Sequence, residues 1–279
     1  MSVLIDVGSL ASLLAAPAPA TVLDVRWALG DPNGRRHYLT GHIPGAVYVD
    51  LETELAAPAA PAAGRHPLPD ITAVQSAARR WGVRKSRPVV TYDDVGGTSA
   101  ARAWWLLRWG GLADLHLLDG GLAAWRAAGH PVETGDVIPE PGDVRLTGGH
   151  LPIVDADGAA AVAAGGILLD ARAEERYRGE VEPVDRIAGH IPGAVSAPTT
   201  DNLTSDGRFL PVDELRARFG RLGIGDGDRP VAVYCGSGVT AAHQVAALAE
   251  IGVRAALFPG SWSQWSSDPR RPVATGAEP

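Results

Sequence analysis

Short apolar runs alternate along this chain with turn residues and with Ala- and Leu-rich stretches of helical character. Four of the runs have the length and composition of buried strands: residues 22–26 (VLDVR), Val89–Tyr92, residues 168–172 (LLDAR) and Val231–Tyr234. Helices are predicted at Ala100–Trp109 and at residues 241–251, each after a glycine-rich turn. This alternation predicts an α/β fold, in which a mostly parallel sheet is flanked by helices on both faces.

The chain carries an internal duplication. The heptapeptide GHIPGAV at residues 41–47 recurs letter for letter at residues 189–195, and each copy follows a strand-like run that ends in Asp-Xaa-Arg. Later segments also match in pairs, LLDGGLAAW with LFPGSWSQW and PVETG with PVATG. The period of about 145 residues is too long for a solenoid repeat and indicates two copies of a whole domain.

Breaks in the pattern divide the chain. We predict a first domain at residues 1–137, a linker rich in Pro and Gly at residues 138–149 and a second domain at residues 150–279. A long loop at residues 56–69, rich in Pro and Ala, falls inside the first domain. Loops of this length are uncommon unless they have a function.

The only cysteine, Cys235, lies between a predicted strand and a predicted helix in the sequence VAVYCGSGVTA. A thiol at a helix N-terminus is placed where unpaired backbone N–H groups and the helix dipole stabilise a thiolate. Gly236 and Gly238 would let N–H groups turn towards the sulfur, and Ser237 and Thr240 add hydroxyl groups. A buried structural cysteine is the alternative, but the strand, turn and helix around it favour a nucleophile.

The two copies differ at the cysteine. Alignment of their strands sets Asp93 opposite Cys235 and Thr98 opposite Thr240, so the first copy is expected to keep the loop length and to lack the nucleophile. Asp93 and Asp94 would repel an anionic ligand from that turn. The first domain is therefore predicted to be non-catalytic.

Residues present in both copies are better explained by structure than by catalysis. His42 and His190 occupy the same place in the two GHIPGAV segments, one of which belongs to the copy without a thiol. We expect each imidazole to fix its turn through a side-chain hydrogen bond. Asp24 and Asp170, at the paired strand ends, are likewise expected to be structural.

Composition narrows the classes of function. The chain has 25 basic and 32 acidic residues without a basic cluster, which predicts no nucleic-acid or membrane partner. One cysteine excludes an intrachain disulfide and a cysteine-cluster metal site, and one lysine, Lys85, leaves almost no attachment point for pyridoxal phosphate. We expect no cofactor and no metal. Without a signal-like N-terminus or a long apolar run, a cytoplasmic enzyme is predicted.

The paired Asp-Xaa-Arg and GHIPGA motifs, with a cysteine loop in the second copy, resemble the tandem rhodanese-domain sulfurtransferases over nearly the whole chain. The loop sequence CGSGVTA is similar to that of the 3-mercaptopyruvate sulfurtransferases, whereas thiosulfate enzymes typically carry basic residues after the cysteine. The resemblance implies that sulfur passes from 3-mercaptopyruvate, with release of pyruvate, to a persulfide on Cys235. A thiol, a thioredoxin-like protein or cyanide would then accept it.

The resemblance also implies roles for individual residues. Ser237 and a carboxylate, Glu52 with Asp50 as a competitor, would relay the substrate proton. Arg176 and Arg186 would bind the substrate carboxylate. The remaining implied site residues are His66, which would line the site, and the loop residues Gly236, Gly238, Val239 and Thr240.

Three other functions are compatible with parts of the pattern. Phosphatases of rhodanese architecture need a longer cysteine loop that ends in Arg, but Ala241 stands six residues after Cys235 and the loop holds no Arg. A thiosulfate sulfurtransferase would use the same persulfide and remains the close alternative. A non-catalytic sulfur-carrier or interaction module is the third, and it suits the first domain better than the second.

Overall fold

The computed structural model describes residues 2–225 and 229–279, which form two compact units. Unit 1 comprises the chain up to Ala57 together with Pro69–Leu151 and Ser205–Arg208. Unit 2 comprises Pro58–Leu68, Pro152–Thr204 and Phe209–Pro279. The α/β fold predicted from the sequence is confirmed, because each unit is built on one parallel sheet flanked by helices.

Unit 1 contains a sheet of five strands in the order β1-β5-β4-β2-β3. The strands are β1 (Leu4–Ile5), β2 (Thr21–Asp24), β3 (Val47–Tyr48), β4 (Val89–Tyr92) and β5 (Leu115–Leu118). The helices are α1 (Val7–Leu14), α2 (Gly34–Thr40), α3 (Leu51–Glu54), α4 (Ile71–Arg80), α5 (Ala100–Trp109) and α6 (Gly121–Ala127). Strand β4 and the first eight residues of α5 are buried throughout, which explains why their sequences are apolar except at Thr91 and Arg102.

Unit 2 contains four strands in the order β7-β6-β8-β9. The strands are β6 (Ile167–Asp170), β7 (Val195–Ser196), β8 (Val231–Tyr234) and β9 (Ala256–Leu257). The helices are α7 (Ala156–Gly165), α8 (Glu174–Tyr177), α9 (Val212–Arg221), α10 (Thr240–Glu250) and α11 (Ser261–Trp265), with a 3₁₀ turn at Thr199–Asn202. The counterpart of β1 is reduced to one bridge, between Ile153 and Leu257. Within the described residues, no helix has the length and apolar character needed to cross a membrane.

The division into units differs from the division predicted along the sequence at residues 138–149, at residues 56–69 and at Ser205–Arg208, the last of which belong to unit 1. Residues 138–149, predicted as a linker, run along unit 1, where Gly142 N–H donates to Arg79 O and Leu146 N–H donates to Gln75 Oε1. The second difference is the loop predicted at residues 56–69. Its residues Pro58–Leu68 belong to unit 2, although they lie in the part of the sequence that supplies unit 1.

The repeated motifs form one network at the carboxyl ends of the central strands in each unit. In unit 2, Arg172 pairs with Asp170 at 2.6 Å and donates to Gly189 O at 2.7 Å, at the start of GHIPGAV. The Tyr234 hydroxyl accepts the N–H of Ile191. The corresponding residues of unit 1 are Asp24, Arg26, Gly41, Ile43 and Tyr92, and the Tyr92 hydroxyl also donates to Asp24. Because each polar group is buried with a partner, the duplicated motifs stabilise the fold.

The duplicated histidines have the structural role expected from the sequence. His190 is fully buried, stacks on Tyr177 with ring centroids 3.8 Å apart, and donates from Nδ1 to Tyr177 O at 2.8 Å. His42 makes the same contacts with Tyr38. The backbone of each histidine also pairs with the PVETG or PVATG segment, which accounts for the duplication of that segment.

The turn after β4 corrects the expectation for Asp93. Its buried carboxylate does not simply repel anions but fills the turn itself, because it accepts four backbone N–H bonds. The donors are Val95, Gly97, Ser99 and Ala100, at 2.8–2.9 Å. Burial raises the pKa of the Asp93 carboxyl, and the four bonds oppose that shift.

The loop lengths also differ from the expectation. Helix α5 begins seven residues after Asp93, whereas α10 begins five residues after Cys235. The prediction that Thr98 matches Thr240 is therefore wrong. The longer loop allows backbone N–H groups to surround a carboxylate, which is larger than a sulfur atom and has two acceptor oxygens.

We expect Asp93→Asn to destabilise the protein, because an amide retains one oxygen and presents N–H groups to two of the four backbone donors. Each donor left without an acceptor costs roughly 1–3 kcal/mol. Chemical denaturation followed by fluorescence measures the free energy of unfolding. Asp94→Asn, at a neighbouring and partly exposed carboxylate, is the matched control and should change it by less than about 0.5 kcal/mol. Equal effects of the two substitutions would contradict the role assigned to Asp93.

Candidate active site

Cys235 directly follows β8, at the carboxyl edge of the unit 2 sheet, and only 2% of its surface is exposed. Its sulfur accepts the N–H of Gly238 at 3.1 Å. Gly238 has a φ of +80°, and a Cβ there would lie 2.4 Å from Pro259 O. Only glycine can take this conformation in this space, so Gly238 is the residue that turns an N–H group towards the sulfur. The buried Val239 then leads into α10 at Thr240.

Ser261 bonds to the backbone of the cysteine. Its hydroxyl accepts the Cys235 N–H at 3.1 Å and donates to Phe258 O at 2.9 Å. Among the described residues, Ser261 is the only non-glycine residue with a positive φ, +52°. Such a conformation is costly for a residue with a side chain and persists where the surroundings fix it. Helix α11 adds the N–H groups of Trp262 and Ser263, which donate to the carbonyls of Cys235 and Gly236.

Residues 58–68 pack against α11 and bring a histidine to the cysteine loop. Gln264 and Ser267 donate to the carbonyls of Ala62 and Pro61, and the Ser263 hydroxyl accepts the Arg65 N–H. These bonds fix the backbone next to His66. The His66 Nδ1 and the Ser237 hydroxyl, both more than nine-tenths buried, share a hydrogen bond of 2.7 Å.

Arg176 reaches the loop from α8. A methyl group placed on Gly236 would lie 3.6 Å from both terminal nitrogens of the Arg176 guanidinium. Glu182 holds this guanidinium in place through bonds to Nε at 3.2 Å and to Nη2 at 2.6 Å. Burial opposes ionisation of Glu182, but the hydrogen bond from Arg176 and the N–H groups of Asp185 and Val184 outweigh it and lower the pKa of Glu182.

Arg65 also lies against the cysteine loop, although no sequence motif points to it. The same methyl position on Gly236 lies 3.0 Å from Arg65 Nη2, and Arg65 Nη1 pairs with Asp185. Burial raises the pKa of the Asp185 carboxyl, and the neighbouring charge of Glu182 adds to this effect. The only indication in the sequence is that Arg65 directly precedes His66. This position becomes informative once residues 58–68 are known to pack in unit 2.

The other residues implied by the resemblance, Arg186, Asp50 and Glu52, have other surroundings in the structure. Arg186 is exposed, and in the described part of the chain its side chain makes no hydrogen bond or ion pair. Asp50 caps α3 by accepting the Thr53 N–H, so its carboxylate already has a structural role. The Glu52 carboxylate is exposed and accepts the indole N–H of Trp27 at 2.7 Å.

The family of this chain follows from these motifs and from comparison with known proteins. The profile of the rhodanese-like domain family matches residues 6–128 and 156–268, so the chain belongs to this family with two domains. The crystal structure of SseA from Escherichia coli, described as a 3-mercaptopyruvate sulfotransferase, has a TM-score of 0.82 and 34% sequence identity. This alignment covers 94% of the present chain and 99% of SseA.

Two relatives indicate the class of enzyme. A Mycobacterium tuberculosis protein, provisionally named thiosulfate sulfurtransferase SseB, is 51% identical over 98% of this chain and 97% of its own length. A Pseudomonas aeruginosa protein, provisionally named 3-mercaptopyruvate sulfurtransferase, is 50% identical over 98% of each chain. Both names describe sulfurtransferases that differ in the sulfur donor. The prediction of a sulfurtransferase is confirmed.

We expect Gly238→Ala to distort the cysteine loop, because the new methyl group would meet Pro259 O and the N–H group would move away from the sulfur. Gly252→Ala is the matched control: Gly252 also has a positive φ, +88°, but nothing lies within 4 Å of the added carbon. Both variants should lose about 1–2 kcal/mol of folding free energy from the left-handed backbone. Only Gly238→Ala should also lower sulfurtransferase activity, by about tenfold or more. Equal activity in the two variants would contradict the role of Gly238.

Proposed function

We propose that this protein transfers sulfur from 3-mercaptopyruvate through a persulfide on Cys235. The observation that carries the proposal is the 2.7 Å hydrogen bond between His66 and Ser237, two residues after the cysteine. This bond offers a path for the thiol proton of 3-mercaptopyruvate, which has to be transferred during the reaction. Thiosulfate has no such proton. The loop residues Gly236 and Ser237 place no basic side chain beside the sulfur. The name of the Pseudomonas aeruginosa relative agrees with this sulfur donor.

The first half-reaction transfers the sulfur to the enzyme. The Cys235 thiolate attacks the sulfur of 3-mercaptopyruvate, a new S–S bond forms, and the bond between sulfur and C3 breaks to leave the enolate of pyruvate. The proton on the transferred sulfur then passes to C3 of the enolate and gives pyruvate. We assign this transfer to the hydroxyl of Ser237 with His66. Glu52, the relay carboxylate that the resemblance implies, stays a prediction.

The second half-reaction restores the cysteine. An acceptor thiolate attacks the outer sulfur, the S–S bond breaks, and Cys235 leaves as a thiolate; cyanide would take the same sulfur as thiocyanate. A small thiol or a thioredoxin-like protein is the proposed physiological acceptor. The cytoplasmic location inferred from the sequence stays a prediction.

Arg176 is the proposed ligand of the substrate carboxylate. Its guanidinium borders Gly236, and arginine pairs with carboxylates in a bidentate manner. Glu182 accepts from Nε and from one N–H of Nη2, so Nη1 and the second N–H of Nη2 remain as donors for the substrate. Arg186, the second arginine implied by the resemblance, remains a candidate for the same task.

Thiosulfate is the second candidate sulfur donor, and one observation favours it. The cysteine loop lacks basic residues, but the guanidinium groups of Arg65 and Arg176 lie against Gly236 and supply positive charge from outside the loop. These groups could bind a compact dianion. The name of the Mycobacterium tuberculosis relative agrees with this alternative.

Steady-state kinetics with the two sulfur donors, each with cyanide as acceptor, tests the proposal. We expect kcat/KM to be higher for 3-mercaptopyruvate. Cys235→Ser should abolish pyruvate release and thiocyanate formation without changing the melting temperature. A higher kcat/KM for thiosulfate would replace the proposed sulfur donor, and pyruvate release by Cys235→Ser would rule out the persulfide.

A double-mutant cycle tests the proposed proton relay. Ser237→Ala and His66→Ala should each lower kcat for 3-mercaptopyruvate by about 10²–10⁴-fold, and the double variant should lose little more than either one. Ser266→Ala serves as the control, because this hydroxyl, directly after α11, donates among the described residues to Trp262 O alone. Additive losses would show that the two residues act independently. Turnover of thiosulfate should fall less, since that sulfur donor has no proton to transfer.

A further inference from the structure

We propose that unit 1 carries a binding site for a small organic monocarboxylate at the carboxyl edge of its own sheet. The site is a cavity of about 290 Å³ beside the Asp-Xaa-Arg motif of this unit. In parallel sheets, ligands bind beyond the carboxyl ends of the strands. The lining residues on which the argument rests are Arg26, Trp27, Ala28, Asp94, Val95 and Arg126.

The duplicated arginines of the two units differ in one hydrogen bond. In unit 2, Arg172 donates Nε and Nη2 to Asp170, and Nη1 to Glu182 at 3.3 Å. In unit 1, Arg26 donates the same two nitrogens to Asp24, but its Nη1 makes no hydrogen bond within the described residues. The Arg26 side chain is only 8% exposed. This nearly buried guanidinium therefore keeps a donor nitrogen whose counterpart in unit 2 binds a carboxylate.

Arg126 adds a second guanidinium to the same cavity. A Cβ placed on Gly41 would lie 2.8 Å from Arg126 Nη2, and Gly41 O accepts a hydrogen bond from Arg26 at 3.3 Å. The side chain of Arg126 makes no hydrogen bond or ion pair in the described part of the chain. In unit 2, the Glu182 carboxylate accepts hydrogen bonds from two arginines. The carboxylate of a ligand can bind the two guanidinium groups of unit 1 in a similar manner.

The rest of the lining suits an apolar body. Trp27, Ala28 and Val95 line the cavity, and Val95 is 39% exposed. The indole N–H of Trp27 donates to Glu52 at 2.7 Å, which constrains the orientation of the ring. An aromatic ring and two aliphatic side chains bind apolar groups because apolar surface is removed from water. The cavity therefore favours a carboxylate attached to a hydrocarbon chain or ring over an inorganic anion.

Two carboxylates also line the cavity and limit its positive charge. Asp31 already accepts the Asn33 N–H and pairs with His37, each at 2.9 Å. Asp94 Oδ2 lies 3.9 Å from Arg26 Nη1, too far for a hydrogen bond, and the Asp94 side chain is 38% exposed. Its charge opposes the binding of an anion, so the site favours a ligand with one negative charge over a ligand with two.

Titration of the full-length protein with phenylacetate tests the site. This probe combines a carboxylate with an aromatic ring. NMR spectra of the tryptophan indole N–H groups follow the binding, and Trp27→Phe identifies the Trp27 signal. We expect a saturable shift of this signal with phenylacetate and no shift with phenylacetamide, which has a similar shape without the charge. A Trp27 signal that phenylacetate does not move would overturn the proposal. The measurement involves no turnover, so its outcome is independent of the proposed sulfur transfer.

Three substitutions test the roles of the charged groups. Arg126→Ala should raise the Kd of phenylacetate by about tenfold, because a charge-assisted hydrogen bond is lost. Asp94→Asn should lower it by about twofold or more, because an opposing charge is removed. Arg36→Ala is the matched control: Arg36 is an exposed arginine of α2 outside the cavity lining and should change Kd by less than about twofold. Equal Kd values for Arg126→Ala and Arg36→Ala, or weaker binding by Asp94→Asn, would contradict the proposal.

Discussion

The buried ion pair between Asp170 and Arg172 connects the scaffold of unit 2 to the loop that carries Cys235. Both side chains are almost completely removed from solvent, at the carboxyl end of the central strand β6. Burial alone would lower the pKa of Arg172, but the charge of Asp170 outweighs it and raises that pKa, so the guanidinium stays charged. Arg172 then donates to Gly189 O, which fixes the GHIPGAV turn, and lies 3.3 Å from Glu182. Glu182 in turn positions Arg176 beside the cysteine loop.

The two units show how one scaffold supports two kinds of turn. Both units keep the Asp-Arg pair, the tyrosine hydroxyl and the buried histidine, and both place a turn after the central strand. In unit 1 the turn surrounds the carboxylate of Asp93, whose oxygens accept the backbone N–H groups and so occupy them. In unit 2 the same place holds a thiol that accepts one N–H from Gly238, and a thiolate there can form and break a bond to sulfur. The proposed persulfide chemistry therefore has a thiol in unit 2 and a carboxylate in the corresponding place of unit 1.

The charges around Cys235 bear on the choice of sulfur donor. Each arginine that borders Gly236 already has an acidic partner, Asp185 for Arg65 and Glu182 for Arg176. The positive charge of the site is thus largely balanced before a substrate binds, and a monoanion needs less compensation than a dianion. This balance agrees with 3-mercaptopyruvate as the proposed sulfur donor, while thiosulfate shares the same two guanidinium groups.

Much of the protein could be predicted from the sequence, because the decisive features are local or repeated. The strand, glycine turn and helix around Cys235 are contiguous, and the duplication shows by itself which residues belong to the scaffold and which copy lacks the thiol.

Local patterns cannot show where a long loop packs. Residues 58–68 follow unit 1 elements in the chain but belong to unit 2, so neither the bond from His66 to Ser237 nor the approach of Arg65 to Gly236 follows from sequence spacing. The same is true of the conformation of Ser261 and of the pair between Arg65 and Asp185, residues 120 positions apart. The sequence by itself determined the fold, the place of the single thiol and the absence of a thiol from the first copy, because these features depend on short-range patterns. Only the tertiary structure decided which distant side chains surround that thiol, because those contacts depend on how the loops close over the sheet edge.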